Sequence, residues 1–257
     1  MLAYISGKNG FIGSHLVKHL DDVTSIPHEK ITKTKLKSYD FFYYLSSYGN
    51  LSDQTETDKI VQANLTDLIY VLNQSSPTFK CFVYFSTSSV KLRVQTFYSR
   101  TKRAAEELLL AYMEKYNVPV CIIRPFSVTG VGEQPQHLIP TLIRAAKTGE
   151  TINFVPEPAH DYIDVSDVVD GVLSLASNSA RGMFELGSGV QYSNQQVLDL
   201  VEKITKKKIK VNIVPALRPY DSQNWVSSNF SARRYGWLAK KDLETSIKEM
   251  VKDYEVR

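Results

Sequence analysis

Leu2-Ala3-Tyr4-Ile5-Ser6-Gly7-Lys8-Asn9-Gly10-Phe11-Ile12-Gly13-Ser14 decides how this chain is read. A short apolar run ends in glycines at 7, 10 and 13, and Ile12, Leu16, Val17 and Leu20 then recur at helical spacing. The order is strand, glycine loop, helix. The first glycine permits a tight turn. The second lets a pyrophosphate approach backbone N–H groups at the helix start, where the dipole favours anions. The third lets helix and strand pack closely. A glycine triplet alone can be only a tight turn; placed directly after a strand, it points to dinucleotide binding.

Outward from this loop, Val23–Ile26 reads as a second strand running into Pro27-His28-Glu29-Lys30. An acid closing this strand would hold a ribose 2′-hydroxyl, and none stands at the strand end itself. Glu29 follows a little later, whereas His28, Lys30 and Lys33 could meet a 2′-phosphate. The segment reads equally well as a polar surface loop. NADP(H) is favoured slightly over NAD(H). Tyr39–Leu45 is an apolar run suited to a strand buried on both faces. It follows the second strand too closely for another helix and strand to intervene, so one such pair is missing or reduced. Residues 57–74 have apolar spacing for a helix, with Asn64 on or beside its buried face. Asn64 is either a satisfied core amide or a group that orients water or backbone near a cofactor.

Cys81–Phe85 is a further buried strand followed by Ser86-Thr87-Ser88-Ser89; a helix over 101–116 and a strand over 118–123 come next. Alternating apolar strands and helices predict a doubly wound parallel sheet in an α/β fold. Ligands bind such sheets at the carboxyl ends of strands. Gly7–Gly13, Leu45–Ser47, Ser86–Ser89 and Arg124–Pro125 all lie at such ends and converge on one crevice.

Composition sets bounds on function. The chain has 257 residues, 43% hydrophobic and 23% charged, with a net charge of +4, which is ordinary for a soluble globular protein. The lysine run Lys206–Lys208 reads as a solvated face, so no nucleic-acid partner is expected. Cys81 and Cys121 sit inside apolar runs as buried free thiols suited to a reducing compartment. No apolar run approaches membrane-spanning length, and a cytoplasmic location with no membrane partner is expected. No metal site is expected.

Tyr98-Ser99-Arg100-Thr101-Lys102 places a phenol and an ammonium one helical turn apart. A nearby positive charge favours phenolate, which would make Tyr98 a proton donor or acceptor near neutral pH. The spacing alone is a weak signal and gains meaning from the dinucleotide loop.

Taken together these motifs resemble the extended short-chain dehydrogenase/reductases, the nucleotide-sugar epimerase/dehydratase family. The resemblance spans nearly the whole chain: Gly7-x-x-Gly10-Phe11-Ile12-Gly13, Leu45-Ser46-Ser47, Asn64, Ser86–Val90, Tyr98-x-x-x-Lys102, Arg124–Gly130, Asp161–Val168, Arg218–Asp221 and Tyr235-Gly236-Trp237. Ser127 stands where that family commonly has Asn. The resemblance implies a Rossmann-type doubly wound sheet with a smaller, interleaved C-terminal substrate-binding lobe. The NAD(P)-binding domain would be 1–125 plus 159–189, and the nucleotide-sugar lobe 126–158 plus 190–257. It implies Thr87, Tyr98 and Lys102 as catalytic residues, with Tyr98 passing the proton and Lys102 holding the nicotinamide ribose and lowering the Tyr98 pKa. Cofactor contacts would come from Gly7, Asn9, Gly10, Phe11, Ile12, Gly13, His28, Leu45, Ser46, Ser47, Asn64 and Pro125, besides Tyr98 and Lys102. The nucleotide-diphosphate sugar would meet Ser88, Ser127, Arg218 and Asp221; Arg218 and Asp221 could instead pair with each other. A homodimer through helices 57–74 and 101–116 is a further family expectation, as is a role in polysaccharide biosynthesis.

Two departures narrow the chemistry. Dehydratases of this family carry an Asp-Glu pair after the catalytic Thr, where this chain has Ser88-Ser89, so dehydration is not expected. Epimerases keep NAD bound through both half-reactions, and the shortened region after the second strand removes part of the usual adenine pocket. A 4-keto-6-deoxy sugar reductase with an exchangeable cofactor is therefore favoured over a 4-epimerase, and a non-catalytic NAD(P) sensor is less favoured still. Thr87 and Tyr98 are only eleven positions apart, about half the family's usual spacing.

Overall fold

The structure, a computed structural model, describes residues 2–51, 53–75, 78–215 and 224–256. Its elements run β1 (Ala3–Ser6), α1 (Phe11–Leu16), β2 (Val23–Ile26), β3 (Phe41–Tyr44), α2 (Thr57–Val61), α3 (Asp67–Gln74), β4 (Cys81–Phe85), α4 (Phe97–Tyr116) and β5 (Val120–Pro125). The chain continues through β6 (Ser127–Thr129), α5 (Leu138–Thr148), β7 (Thr151–Phe154), β8 (Ala159–Asp164), α6 (Val165–Ser177) and β9 (Gly182–Leu186). It ends with β10 (Gln191–Ser193), α7 (Asn194–Thr205), β11 (Lys210–Ile213), α8 (Phe230–Arg233) and α9 (Leu243–Val256).

Two compact units result: Met1–Pro125, Val169–Glu185 and Phe230–Trp237 in one, Phe126–Val168, Leu186–Asn229 and Leu238–Arg257 in the other. The first is built on a six-stranded sheet of order β2-β1-β3-β4-β5-β9, in which β1 to β5 pair in parallel. This is the doubly wound parallel sheet expected from the alternation of apolar strands and helices. The missing strand and helix are explained by the register: β1 pairs with β2 on one side and directly with β3 on the other. Only a short 3-10 turn, His28–Lys33, lies between β2 and β3. Consequently β2 is the sheet edge.

One sheet face carries an aromatic core. Side-chain alternation along β3 and β4 puts Phe42 and Tyr44 beside Phe82 and Tyr84, with ring centroids 5.3 Å apart for Phe42–Phe82 and 5.9 Å for Tyr44–Tyr84. Leu68 and Val71 of α3 and Ala105 and Leu109 of α4 close over them. The helical periodicity of 57–74 corresponds to α2 and α3 joined by a π-turn at Gln62–Thr66. Helix α4 starts four residues before the expected 101, because Thr96 caps it by accepting a hydrogen bond from the Ser99 N–H.

The second unit holds the sheet β10-β8-β6, the parallel pair β7–β11, and a core of α5, α7 and α9 centred on Ile139, Leu142, Val197 and Ile247. The stretch Asp161–Val168 holds this unit together. Asp161, fully buried, accepts from the backbone N–H and hydroxyl of Ser188, from Gly189 N–H, and from the N–H and hydroxyl of Ser227. Asp164 accepts from Ser166 and from the Ser246 hydroxyl of α9, and Asp167 from the N–H groups of Lys240 and Lys241. Three acids three positions apart thus tie down separate loops. Asp161→Asn keeps the volume but converts charge-assisted acceptors to a neutral oxygen and an NH2 that faces donors. The expected result is a loss of roughly 2 kcal/mol in denaturant unfolding; an unchanged midpoint would contradict this role.

Candidate active site

The glycine loop is locked by close backbone packing. Gly7 has φ +78°, and a Cβ there would lie 2.8 Å from the Leu45 carbonyl carbon, so β1 and β3 can approach only with glycine at this turn. A Cβ on Gly13 would lie 2.2 Å from the Gly7 carbonyl oxygen. Gly10 donates its N–H to the Gly7 carbonyl and leaves its own outer edge exposed, together with Lys8 and Asn9. Phe11 and Ile12 are half-buried as α1 begins. The expected helix over Ile12–Leu20 is an α-turn to Leu16 followed by a 3-10 turn at Val17–His19.

At the ends of β3 and β4 the backbone is satisfied while several hydroxyls are not. Leu45 donates to the Ser6 carbonyl and Ser46 N–H to the Ser6 hydroxyl. Ser46 Oγ, Tyr84 Oη and Ser86 Oγ are buried without a hydrogen-bond partner. Buried polar groups are normally paired. Orphan hydroxyls at two adjacent strand ends, beside a loop only glycine can make, fit a polar ligand such as a dinucleotide. Ser47 is exposed, and Pro125 ends β5 half-buried.

Tyr98 lies in the first turn of α4 and Lys102 one turn later, so the sequence spacing is realised on one helix. Their protonation differs from the expectation. Burial pushes the Tyr98 phenol up to about 12, and a hydrogen bond with the Ser47 side chain only partly offsets this. Lys102 is 1% exposed, and burial brings its ammonium down to about 7, with Glu106 pulling it back up. The ammonium sits over the Tyr84 ring, 4.4 Å from its centroid. Desolvation therefore outweighs the charge–charge effect read from the spacing: in this structure Lys102 does not lower Tyr98.

Burial of Lys102 also makes stability depend on pH. An unfolded lysine titrates near ~10.4, so between pH 7 and that value the unfolded chain holds a proton that the folded one has lost. Stability of the ligand-free protein rises with pH across this window, and the penalty is fully present below it. Lys102→Met removes the penalty, on the order of 4 kcal/mol at neutral pH, and flattens the pH profile of thermal unfolding. A variant no more stable than the parent would contradict this.

Thr87 caps a 3-10 turn at Ser88–Lys91, accepting from the Ser89 N–H and donating to its hydroxyl, and remains half-buried. Ser88 is buried, 3% exposed. Asn64, fully buried in the π-turn, accepts from Tyr48 N–H and donates to the Tyr48 carbonyl and the Thr101 hydroxyl. All its groups are used to fix the loop after β3 against α4, beside Lys102. It is thus a satisfied core amide. His28 opens the turn after β2, its Nδ1 3.1 Å from the buried Asp67 carboxylate and its ring half exposed. Ser127 belongs to the second unit, with its hydroxyl 3.4 Å from His160 Nδ1. Arg218 and Asp221 lie outside the described residues.

Sequence reasoning missed Tyr84 beneath Lys102, Asp67 behind His28, and the pair Glu106–Arg124. Strand parity alone could have flagged Tyr84, which shares a face with Phe82. Among the described residues no group of His, Cys, Asp and Glu side chains is arranged to hold a metal ion, and no helix is long and apolar enough to cross a membrane.

Comparison with known proteins agrees with this arrangement. Residues 82–187, which include most of β4 and Thr87, Tyr98 and Lys102, match the model of the NAD dependent epimerase/dehydratase family. The chain is 24% identical to CDP-abequose synthase of Salmonella muenchen over 87% of its length and 79% of that protein. It is 28% identical to UDP-glucose 4-epimerase of Corynebacterium glutamicum over 61% of its length and 52% of that protein. Among solved structures, MoeE5 in complex with UDP-glucose and NAD superposes with a TM-score of 0.89 at 22% identity, covering 100% of this chain and 99% of that one. The matched segment, together with the glycine loop and the Tyr98–Lys102 helix, makes the chain similar to the NAD dependent epimerase/dehydratase family.

Proposed function

We propose that this protein is an NAD(P)-dependent enzyme that reduces the C4 carbonyl of a 4-keto-6-deoxy nucleotide-diphosphate sugar. The observation that carries this reading is the trimmed cofactor side of the sheet: β2 is the edge strand, and only the His28–Lys33 turn connects it to β3. Fewer walls around the adenosine suit a cofactor that enters and leaves each cycle. An epimerase, which must retain its cofactor through both half-reactions, is less well served.

The state of Tyr98 supports the same direction. The Tyr98 phenol, pushed up to about 12 by burial, keeps its proton at neutral pH, and a carbonyl gaining hydride needs a proton donor for the developing alkoxide. An oxidising first step would need a base in that place. NADPH or NADH, when bound, supplies the hydride. Tyr98 then gives its proton to the C4 oxygen, Thr87 holds that oxygen, and Lys102 binds the nicotinamide ribose. Gly7 to Gly13 accept the pyrophosphate, while Leu45, Ser46, Ser47 and Pro125 line the nicotinamide side. His28, held by Asp67, is assigned to the ribose 2′ position. Ser127, Arg218 and Asp221 are assigned to the sugar nucleotide by the resemblance. Ile69 and Leu108, exposed on α3 and α4, suit a homodimer contact through these helices.

Denaturing the purified protein and identifying the released nucleotide tests the choice. The expected protein is empty and oxidises NADPH or NADH when given a 4-keto-6-deoxy nucleotide sugar. Stoichiometric tightly held NAD⁺, with interconversion of C4 epimers and no net reduction, would overturn the reductase in favour of the 4-epimerase.

A further inference from the structure

Glu106 lies one helical turn beyond Lys102 on α4 and is 1% exposed. Arg124, at the end of β5, grips it with two bonds, Nε to Oε1 at 2.8 Å and Nη2 to Oε2 at 2.6 Å. The arginine side chain is 18% exposed and the glutamate 1%. Of the pair, the carboxylate is the buried end, one turn from Lys102 on the same helix, and the guanidinium is the more exposed end.

Lys102 is buried against the Tyr84 ring. The titratable and charged groups on this side of α4 are few. Tyr98 and Glu106 come from the helix itself, Tyr84 from β4 with Tyr44 beyond it, and Arg124 from β5. Lys91, in the 3-10 turn packed on α4, is exposed and paired with Glu185. The tyrosines are raised by burial and stay neutral. Glu106 is the anion that acts on Lys102.

We propose that Glu106, oriented by Arg124, is a positioning residue for the reaction: its carboxylate is a fixed countercharge one helical turn from the buried Lys102, favouring the ammonium form in its work on the cofactor ribose. The proposal rests on the role given to Lys102 above. Charges on neighbouring helical turns couple directly, and coupling strengthens where water is excluded. A buried ion pair adds little to stability compared with apolar side chains of similar volume. Its effect on the fold and its effect on Lys102 can therefore be separated.

The test uses the full chain labelled at lysine ¹³Cε, with Lys102 assigned by its loss in Lys102→Met. Two variants follow: Glu106→Gln, and the double variant Glu106→Leu/Arg124→Leu, which removes both charges together and remains informative if the single variant fails to fold. The expected result is a Lys102 titration midpoint lowered by about one pH unit or more in each folded variant. NADPH affinity at neutral pH falls about tenfold with it, while the double variant melts close to the parent. A Lys102 midpoint that does not move overturns the proposal. A Lys102→Met variant with parental turnover instead removes the role of Lys102, a failure distinguishable because the titration of Lys102 in the Glu106 variants would still shift.

Discussion

Tyr98→Phe is expected to lower the rate of nucleotide-sugar reduction by roughly 10²–10⁴-fold with little change in melting temperature. The substitution removes one oxygen from a half-buried ring in the first turn of α4 and leaves Thr96, which caps the helix, untouched. Its hydrogen-bond partner, Ser47, is exposed, so water can satisfy the hydroxyl left behind. On the proposed mechanism, what is lost is the proton to be placed beside the carbonyl oxygen. Dinucleotide binding should survive, because the loop and Lys102 are unchanged. Steady-state rates with parental and variant protein, alongside dinucleotide titration, check this. Parental turnover in Tyr98→Phe would end the proton-donor reading, whatever the cofactor proves to be.

Gly13→Ala should destabilise the protein at or beyond the upper end of the ~1–3 kcal/mol typical of overpacking, and should abolish measurable dinucleotide binding. The new methyl would meet the Gly7 carbonyl oxygen at 2.2 Å and the Lys8 Cα at 2.9 Å. These are backbone atoms of a loop closed on itself by Gly10 N–H to Gly7 O at 3.1 Å and Ser14 N–H to Gly10 O at 2.9 Å. Nothing flexible can yield, so the loop must open, and with it the edge offered to a pyrophosphate. Gly149→Ala is the contrast. Gly149 ends α5 with φ +75°, and no atom lies within 4 Å of where its added methyl would sit. There the cost is backbone strain alone, about 1 kcal/mol, and dinucleotide binding should be unaffected. Chemical denaturation and a fluorescence titration with NADPH separate the two variants. Equal behaviour would show that close packing at Gly13 does not shape the loop.

Much of the first unit was legible in the sequence because its signals are local. Apolar runs bounded by glycine, and helices with one apolar face, are set by neighbours within a few residues. Thus β2 and β4 coincide with the runs Val23–Ile26 and Cys81–Phe85. The shortened passage after β2 was visible as a simple count of residues. Tyr98 and Lys102 were legible for the same reason, since a helical turn brings i and i+4 together in any context.

Spacing could not reveal what happens to those groups once water is removed. Read locally, Lys102 should lower the Tyr98 pKa; in the folded protein burial raises Tyr98 and lowers Lys102. Likewise Asn64 was a buried amide with two possible roles until Tyr48 and Thr101 were seen to use all of it. Residue order was enough for the strand–glycine–helix start, the alternation that makes a parallel sheet, and the helical spacing of Tyr98 and Lys102. It took the folded chain to show that Tyr84 and Glu106 surround Lys102, that Asp67 holds His28, and that Asp161 ties the loops of the second unit. Desolvation and partner choice depend on contacts between residues far apart in the chain, which no local pattern encodes.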